Sequence, residues 1–219
     1  MDFSKAASYV ASFVNEDNKE LKGLESEARE RGIPIMQPEA MALVQHMIKW
    51  LKPERILEIG TAVGFSAIKM ALASRKRSKI ITVERDDDMF HEAKKNILSM
   101  GVQDSVHLVH ADAMERHHDT VEQGPYDIIF IDAAKGQYQH FFELYAPLLT
   151  LKGLIITDNI LFRGFAAEPE TAVSKRLERL ANKVNDFNHW LSENDQFDTV
   201  YLTVGDGLAI SSRREKKDI

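Results

Sequence analysis

Three side chains with oxygen donors follow two apolar segments of the chain. Asp132 comes directly after the run 126–131, and Asp158 and Asn159 come directly after the run 153–157. If these runs are neighbouring parallel strands, their carboxyl ends lie at one edge of a sheet and bring the three side chains together. Oxygen donors without a soft partner suit Mg²⁺ or Ca²⁺ and suit zinc poorly. The pattern therefore predicts a metal site at Asp132, Asp158 and Asn159.

A basic side chain stands close to this predicted metal site. Lys135 follows Asp132 by three residues in the run Asp-Ala-Ala-Lys-Gly-Gln-Tyr. A lysine beside a metal ion and apolar walls loses its proton more readily than in water, so Lys135 is a candidate general base. The alternative interpretation is that the two aspartates only cap the following loops and that Lys135 is solvated. Oxygen donors at two adjacent strand ends favour the metal site.

A glycine-bearing turn offers a second set of candidate residues. The apolar run 55–59 meets Gly60, and Gly64 precedes a helix start, whereas a dinucleotide-binding turn has three glycines. Glu58 lies inside the strand end, where a carboxylate repels phosphate but binds an ammonium group. S-adenosylmethionine carries an ammonium group and no phosphate, and Glu84, which ends the next apolar run, is placed to accept both ribose hydroxyls. The alternative is an ordinary βαβ turn with solvated acids.

The elements that must position these residues alternate along the chain. Strands predicted at 55–59, 79–84, 106–111, 126–131 and 153–157 alternate with helices predicted at 65–73, 86–100 and 137–149, which indicates a parallel sheet with right-handed crossovers. A long helix is predicted at 169–191. Gly-Asp-Gly between the β-rich runs 197–204 and 208–212 predicts an antiparallel hairpin.

The N-terminal region differs from this alternating part. Residues 1–51 read as helical with breaks between Gly32 and Pro38. The apolar segment 33–38 carries two prolines and is a candidate lid, with Met36 against a ligand; core packing of a gap-filling methionine is the alternative. We therefore predict a single α/β domain over 1–219, with an N-terminal helical cap over 1–51 and a Rossmann-like core over 53–219.

Composition narrows the class of protein. A chain of 219 residues suits one well-buried domain. The absence of cysteine excludes disulfides, thiolate catalysis and zinc–thiolate sites. No apolar run approaches the roughly 20 residues that cross a bilayer, and the first residues lack a secretory signal pattern. We expect a soluble, cytoplasmic protein.

Three motifs taken together resemble a known family. Leu-Glu-Ile-Gly-Thr at 57–61, the run at 132–138 and Thr-Asp-Asn at 157–159 are similar to the cation-dependent O-methyltransferases, which include catechol and caffeoyl-coenzyme A enzymes, and the resemblance covers essentially the whole chain. It implies a class I methyltransferase fold with a mostly parallel seven-stranded sheet, Mg²⁺ at the predicted metal site, Lys135 as the base, and a homodimer. It also implies that S-adenosylmethionine is held by Met36, Glu58, Gly60, Thr61, Ser66, Glu84, Asp112, Ala113 and Asp132.

Within this family the chain is most similar to bacterial enzymes that methylate 5-hydroxyuridine at the wobble position of tRNA, including the segment 33–39 ahead of the third helix. The resemblance implies Mg²⁺-dependent methyl transfer to the 5-hydroxyl, giving 5-methoxyuridine. The 5-hydroxyl and 4-carbonyl oxygens are neighbours, as catechol oxygens are, so both can chelate one metal ion. The alternatives are the same chemistry on a small catechol or hydroxycinnamoyl compound, and a non-catalytic nucleotide-binding module.

Basic clusters are the candidate contacts to a tRNA anticodon stem-loop. They lie at 75–79 and 213–217, and Phe162 and Arg163 are further candidates for base stacking or phosphate contact. The alternative is a solvated loop and a frayed tail. The net charge of −6 does not by itself favour a nucleic-acid partner, because charge acts through its distribution over the surface.

Overall fold

The computed structural model describes residues 3–14 and 18–215, which contain one seven-stranded sheet. The strands are β1 (Arg55–Ile59), β2 (Lys79–Glu84), β3 (Val106–His110), β4 (Tyr126–Ile131), β5 (Leu149–Asp158), β6 (Phe197–Leu202) and β7 (Leu208–Arg213). The α-helices are α1 (Phe3–Ala11), α2 (Lys19–Glu30), α3 (Pro38–Leu51), α4 (Phe65–Ala73), α5 (Asp87–Ser99), α6 (His118–Glu122), α7 (Tyr138–Tyr145) and α8 (Lys175–Ser192). None of the helices in these ranges is long and apolar enough to span a bilayer.

The strand order is β3-β2-β1-β4-β5-β7-β6. Strands β1 to β5 are parallel, and β7 runs antiparallel between β5 and β6. This confirms the predicted α/β fold with an antiparallel C-terminal hairpin. The order reverses where β1 meets β4, and ligands of such sheets bind outside the carboxyl ends of the strands at that point. We call the side on which β1 to β5 end the carboxyl edge, and the opposite side the amino edge.

Buried apolar side chains make β1 a central strand. Ile56, Leu57 and Ile59 have no exposed surface, and β1 pairs with β2 on one side and β4 on the other. Gly60 follows with a φ of +94°, and a Cβ atom there would lie 2.2 Å from the carbonyl oxygen of Asp132. Only glycine permits both this conformation and this approach. Gly60 therefore brings the end of β1 directly against the end of β4.

Apolar layers cover both faces of the sheet. One layer contains side chains of α3, α4 and α5, such as Ile68, against Ile80 of the sheet. The other contains side chains of α7 and α8, such as Phe142 and Phe187, against Ile81. Each fully buried side chain of this size contributes about 1.5–3 kcal/mol. The two layers hold the strand ends, and hence the residues that follow them, in fixed positions.

Several predicted boundaries were wrong. Helix α8 begins at Lys175 instead of residue 169, because Pro169–Thr171 forms a separate 3₁₀ turn and Ser174 caps the helix by accepting a hydrogen bond from the Leu177 amide. Helix α7 ends at Tyr145, because Pro147 cannot donate the next helical hydrogen bond. The short helix α6 was not expected.

The predicted N-terminal helical region corresponds to α1, α2 and α3. Residues 1, 2 and 15–17 of that region lie outside the described residues, as do 216–219. The end of the predicted basic cluster 213–217 therefore has no structural description.

Candidate active site

A cavity of about 380 Å³ opens at the carboxyl edge, beside the ends of β1, β2, β3 and β4. All the residues predicted to hold S-adenosylmethionine line this cavity except Glu58. They are Met36, Gly60, Thr61, Ser66, Glu84, Asp112, Ala113 and Asp132, and Lys135 lines it as well. Residues from five separate segments of the chain thus meet at one concave surface, which is large enough to enclose most of a small ligand.

Glu84 organises the glycine-bearing turn beside the cavity. One of its carboxylate oxygens accepts hydrogen bonds from the backbone amides of Thr61, at 3.2 Å, and Ala62, at 2.8 Å. The other accepts from the amides of Arg85 and Asp86, both at 2.9 Å. Glu84 is half-buried at the end of β2. These four backbone hydrogen bonds fix the position of its carboxylate.

Glu58 lies behind the cavity wall. It has no exposed surface, and its carboxylate accepts hydrogen bonds from the hydroxyls of Ser66 and Thr82. Burial raises the pKa of Glu58 to about 8, although these two hydrogen bonds oppose the rise. The side chain expected to meet an ammonium group is thus separated from the cavity by Ser66, which does line it.

Met36 both packs in the core and lines the cavity, which are the two alternatives that the sequence left open. Its side chain is buried in the core layer against α3 and α4, and it also lines the cavity next to Pro34 and Ile35. Its carbonyl oxygen accepts a hydrogen bond from Arg29, at 3.2 Å. The segment from Pro34 to Met36 is therefore a fixed wall of the cavity, tied to α2 through Arg29.

The predicted metal ligands converge at the ends of β4 and β5. These strands are paired neighbours, with Ile131 opposite Thr157, so Asp132 and Asp158 follow side by side. One carboxylate oxygen of Asp158 accepts the Asn159 amide at 2.7 Å, whereas the other, Oδ2, is buried with no hydrogen-bond partner among the described residues.

Electrostatics at this point favour a cation. Burial raises the pKa of Asp132, and burial together with the nearby Asp132 charge raises the pKa of Asp158 well above its usual range. Within the described ranges no three His, Cys, Asp or Glu side chains form a metal-binding group, and the third donor predicted from the sequence is the amide oxygen of Asn159. Two carboxylates, one of which has an orphaned buried oxygen, and an amide oxygen fit a hard divalent cation.

Lys135 reaches this group from the short 3₁₀ turn Lys135–Gln137 after β4. Its Nζ atom donates a hydrogen bond to Oδ1 of Asn159, at 2.6 Å. The same lysine lines the cavity. The predicted base therefore stands where the cavity and the three oxygen donors meet.

The hairpin turn between β6 and β7 is a part of the site that the sequence analysis missed. Asp206 accepts the Leu161 amide on its carbonyl oxygen, at 2.9 Å, and the Arg163 amide on its carboxylate, at 2.5 Å. The Gly207 carbonyl accepts the Ile160 amide at 3.2 Å. This turn thus holds the loop that begins at Asn159. The antiparallel hairpin predicted after β5 was the available signal, because β7 must begin where β5 ends.

The basic cluster 75–79 and the described part of the second cluster, 213–215, lie away from the cavity. They are at the amino edge, since 75–79 leads into β2 and Arg213 ends the antiparallel β7. Lys76 and Lys79 donate to the carbonyl oxygens of Gly101 and Asp104, at 2.6 and 2.8 Å. Arg213 and Arg214 bind the Ala146 carbonyl and the Asp198 carboxylate, at 2.6 and 2.8 Å.

Other cations lie at the carboxyl edge. Arg176, Arg179 and Lys183 are exposed on one face of α8, and we call them the α8 basic strip. Arg163, in the loop after Asn159, is also exposed, whereas the neighbouring Phe162 is only 7% exposed and packs against Phe165. Phe162 is therefore not available for stacking on a base.

The chain is similar to known proteins over most of its length. A family model described as O-methyltransferase matches residues 11–214. A caffeoyl-CoA O-methyltransferase of Stellaria longipes is 29% identical over 203 residues, which cover 90% of this chain and 84% of that protein. A catechol O-methyltransferase of Niastella koreensis is 28% identical over 218 residues, covering 95% and 96%.

Solved structures resemble the whole chain. A Staphylococcus aureus protein with the provisional name caffeoyl-CoA O-methyltransferase superposes with a TM-score of 0.89 at 34% identity, covering 95% of this chain and 99% of that one. A Podospora anserina methyltransferase bound to S-adenosylhomocysteine superposes with a TM-score of 0.85 at 22% identity, covering 97% and 95%. The second likeness shows the class I Rossmann-like fold alone, and it agrees with the predicted fold class.

Proposed function

Since the chain belongs to the O-methyltransferase family and is an S-adenosylmethionine-dependent O-methyltransferase, we propose that its acceptor is a hydroxyl beside a second oxygen, both held by one divalent cation. The observation that carries this proposal is the orphaned Oδ2 of Asp158, buried beside Asp132 and next to the Lys135–Asn159 contact. A buried oxygen acceptor without a partner inside the protein is satisfied by a bound ion or water, and a second carboxylate beside it favours a cation.

Asp132, Asp158 and Asn159 would hold that cation, and we propose Mg²⁺. When bound, such a cation lowers the pKa of a coordinated hydroxyl and fixes two acceptor oxygens in place. Lys135 would take the hydroxyl proton on its Nζ atom, at the junction of cavity and oxygen donors. The cavity would orient the methyl group of S-adenosylmethionine toward that oxygen, and exclusion of water would favour the transfer.

A small phenolic compound is one acceptor class with the required pair of oxygens. The family relatives named above carry the names caffeoyl-CoA and catechol O-methyltransferase. We therefore propose a catechol or a hydroxycinnamoyl compound as an acceptor, with neighbouring ring oxygens on the cation.

The second acceptor class is 5-hydroxyuridine at the wobble position of tRNA. Its 5-hydroxyl and 4-carbonyl oxygens present the same chelating pair, and methyl transfer would give 5-methoxyuridine. Two features favour it: the sequence motifs described above, and the exposed cations Arg163 and the α8 basic strip at the same edge as the cavity. A free catechol carries no phosphate that these cations could bind, whereas the RNA backbone does.

We also propose a homodimer that works in the cytoplasm. The family resemblance implies the dimer, and Tyr9, Phe13 and Trp50 near α1 and α3 leave 67%, 63% and 79% of their surface exposed, which suits a covered apolar face. Sedimentation equilibrium tests the dimer; a monomer at micromolar concentration would contradict it.

Labelled S-adenosylmethionine tests the acceptor directly. The wild-type protein is incubated with tRNA from a strain that lacks it, and separately with a catechol panel, each with Mg²⁺ and with EDTA. Labelling of tRNA that EDTA abolishes supports the tRNA acceptor and the cation together. Labelling of catechols alone contradicts the tRNA acceptor, and labelling that survives EDTA contradicts the metal site.

A further inference from the structure

We propose that the α8 basic strip and Arg163 form the surface on which the RNA backbone docks while the target base enters the cavity. This inference rests on the proposed tRNA acceptor. It places the RNA at the carboxyl edge of the sheet. The cations that it assigns to the RNA are not those of the basic clusters 75–79 and 213–217.

The strip is a continuous line on one helix face. Arg176, Arg179 and Lys183 are separated by three and four residues, which places them on neighbouring turns of α8, and all are exposed. At 1.5 Å per residue the line is about 10 Å long. Leu177 and Val184 lie on the packed face of the helix. The strip is therefore long enough to meet more than one phosphate of a strand.

The helix that carries the strip packs beside the candidate active site. The Lys183 side chain packs on Gly136, where a Cβ atom would lie 3.2 Å from its Cδ, and Gly136 follows the candidate base Lys135. Asn188 of the same helix donates to the Ile160 carbonyl at 2.8 Å, next to the candidate metal ligand Asn159. The part of α8 from Lys183 to Asn188 thus lies beside the site, and Arg179 and Arg176 precede Lys183 by about one and two turns on the same helix.

The cations of the strip are free to meet phosphates. In the described part of the chain, the ion pair on α8 joins Lys175 to Glu178, and no carboxylate lies within 4.0 Å of the three strip cations. Exposed acids occur on this side too, at Glu168, Glu170 and Asp186. The surface is therefore a narrow line of positive charge and not a broad basic field, which suits the backbone of a single-stranded loop.

Charge reversal on the strip tests the surface. Arg176→Glu/Arg179→Glu is compared with Arg75→Glu/Arg77→Glu, which makes the same change in net charge at exposed positions of the amino edge. Binding of an anticodon stem-loop and labelling of tRNA are measured across a series of salt concentrations. Circular dichroism melting checks that both variants are folded, and glutamate is compatible with an exposed helix position.

We expect the strip variant to bind the stem-loop at least about tenfold more weakly, with a salt slope shallower by about 1.4 for two lost single-strand phosphate contacts. The amino-edge variant should bind as the wild-type protein does. If the wild-type protein labels tRNA and both variants bind equally well or equally poorly, the surface is wrong and the acceptor stands. If the wild-type protein neither binds nor labels tRNA, the acceptor is wrong and the surface fails with it.

Discussion

The Nζ atom of Lys135 lies 2.6 Å from Oδ1 of Asn159, so the candidate base is hydrogen-bonded to a candidate metal ligand. The two residues come from different strand ends, one after β4 and one after β5. Their contact places proton removal and cation binding at one point beside the cavity. The consequences of that arrangement, and of the turn that supports it, can be measured.

Replacing the base should slow the chemical step. We expect Lys135→Ala to lower kcat for methyl transfer by about 10²- to 10⁴-fold, the usual contribution of a positioned general base. Steady-state transfer from labelled S-adenosylmethionine measures this. Lys152→Ala, at an exposed position of β5, is the matched control. A Lys135→Ala enzyme with wild-type kcat would show that another group takes the proton.

Removing the orphaned oxygen should weaken metal binding. We expect Asp158→Asn to bind Mn²⁺, used as a spectroscopic probe, at least about 100-fold more weakly, because a carboxylate ligand is lost. Electron paramagnetic resonance of free Mn²⁺ gives the affinity without any turnover. Asp104→Asn, at an exposed position near the amino edge, should bind as the wild type. Equal affinity in all three proteins would place the metal elsewhere.

Glu58 should make the ligand-free protein less stable as pH rises. Its pKa of about 8 exceeds the usual 4.5, so between these pH values the unfolded chain loses a proton that the folded protein keeps. The free energy of unfolding therefore falls across this window. A tenfold change in proton affinity is worth about 1.4 kcal/mol, so the loss by pH 8 is on the order of 4 kcal/mol.

Urea unfolding of the wild type and Glu58→Gln between pH 5 and 8 isolates this contribution. Glutamine does not titrate; its amide oxygen accepts from one of the Ser66 and Thr82 hydroxyls, and its NH₂ group must donate to the other, as the protonated carboxyl would. The difference in stability between the two proteins should therefore shift in favour of the variant as pH increases. A pH-independent difference would mean that Glu58 keeps an ordinary pKa in the fold.

Gly60→Ala should destabilise the fold by at least about 3 kcal/mol, because the new Cβ meets the Asp132 carbonyl at 2.2 Å and φ is +94°. Gly23→Ala is a matched control within α2, where nothing lies within 4 Å of the added Cβ. It should stabilise the protein by about 0.5–1 kcal/mol. Urea midpoints measure both, and a neutral Gly60→Ala would contradict the close approach of β1 to β4.

Much of the core was predictable because its sequence signals are local. Strands β1, β2 and β4 end where apolar runs meet Gly60, Glu84 and Asp132, so the position of the site followed from the alternation of strands and helices. Helix α4 was predicted at its observed bounds for the same reason, since Gly64 precedes it and a continuous apolar run fills it.

What the sequence did not reveal depends on contacts between distant segments. The basic clusters at 75–79 and 213–217 are easy to see in the sequence, but only the strand directions show that 75–79 and Arg213 lie at the amino edge. The weaker pattern of the α8 basic strip becomes visible only when α8 is placed beside Gly136. Glu58 likewise looked like a cavity residue, because a strand-end position does not show that Ser66 stands in front of it.

The turn at Gly205–Gly207 has a consequence for how the enzyme is made. Its backbone and the Asp206 carboxylate supply the hydrogen-bond partners of Ile160, Leu161 and Arg163. A nascent chain that has left the ribosome only through β5 already carries Asp132, Lys135, Asp158 and Asn159. The loop after Asn159 acquires its partners some 45 residues later in synthesis, when the hairpin turn emerges. The candidate active site is therefore completed only once the hairpin turn has been synthesised, after the parallel strands have had time to pair.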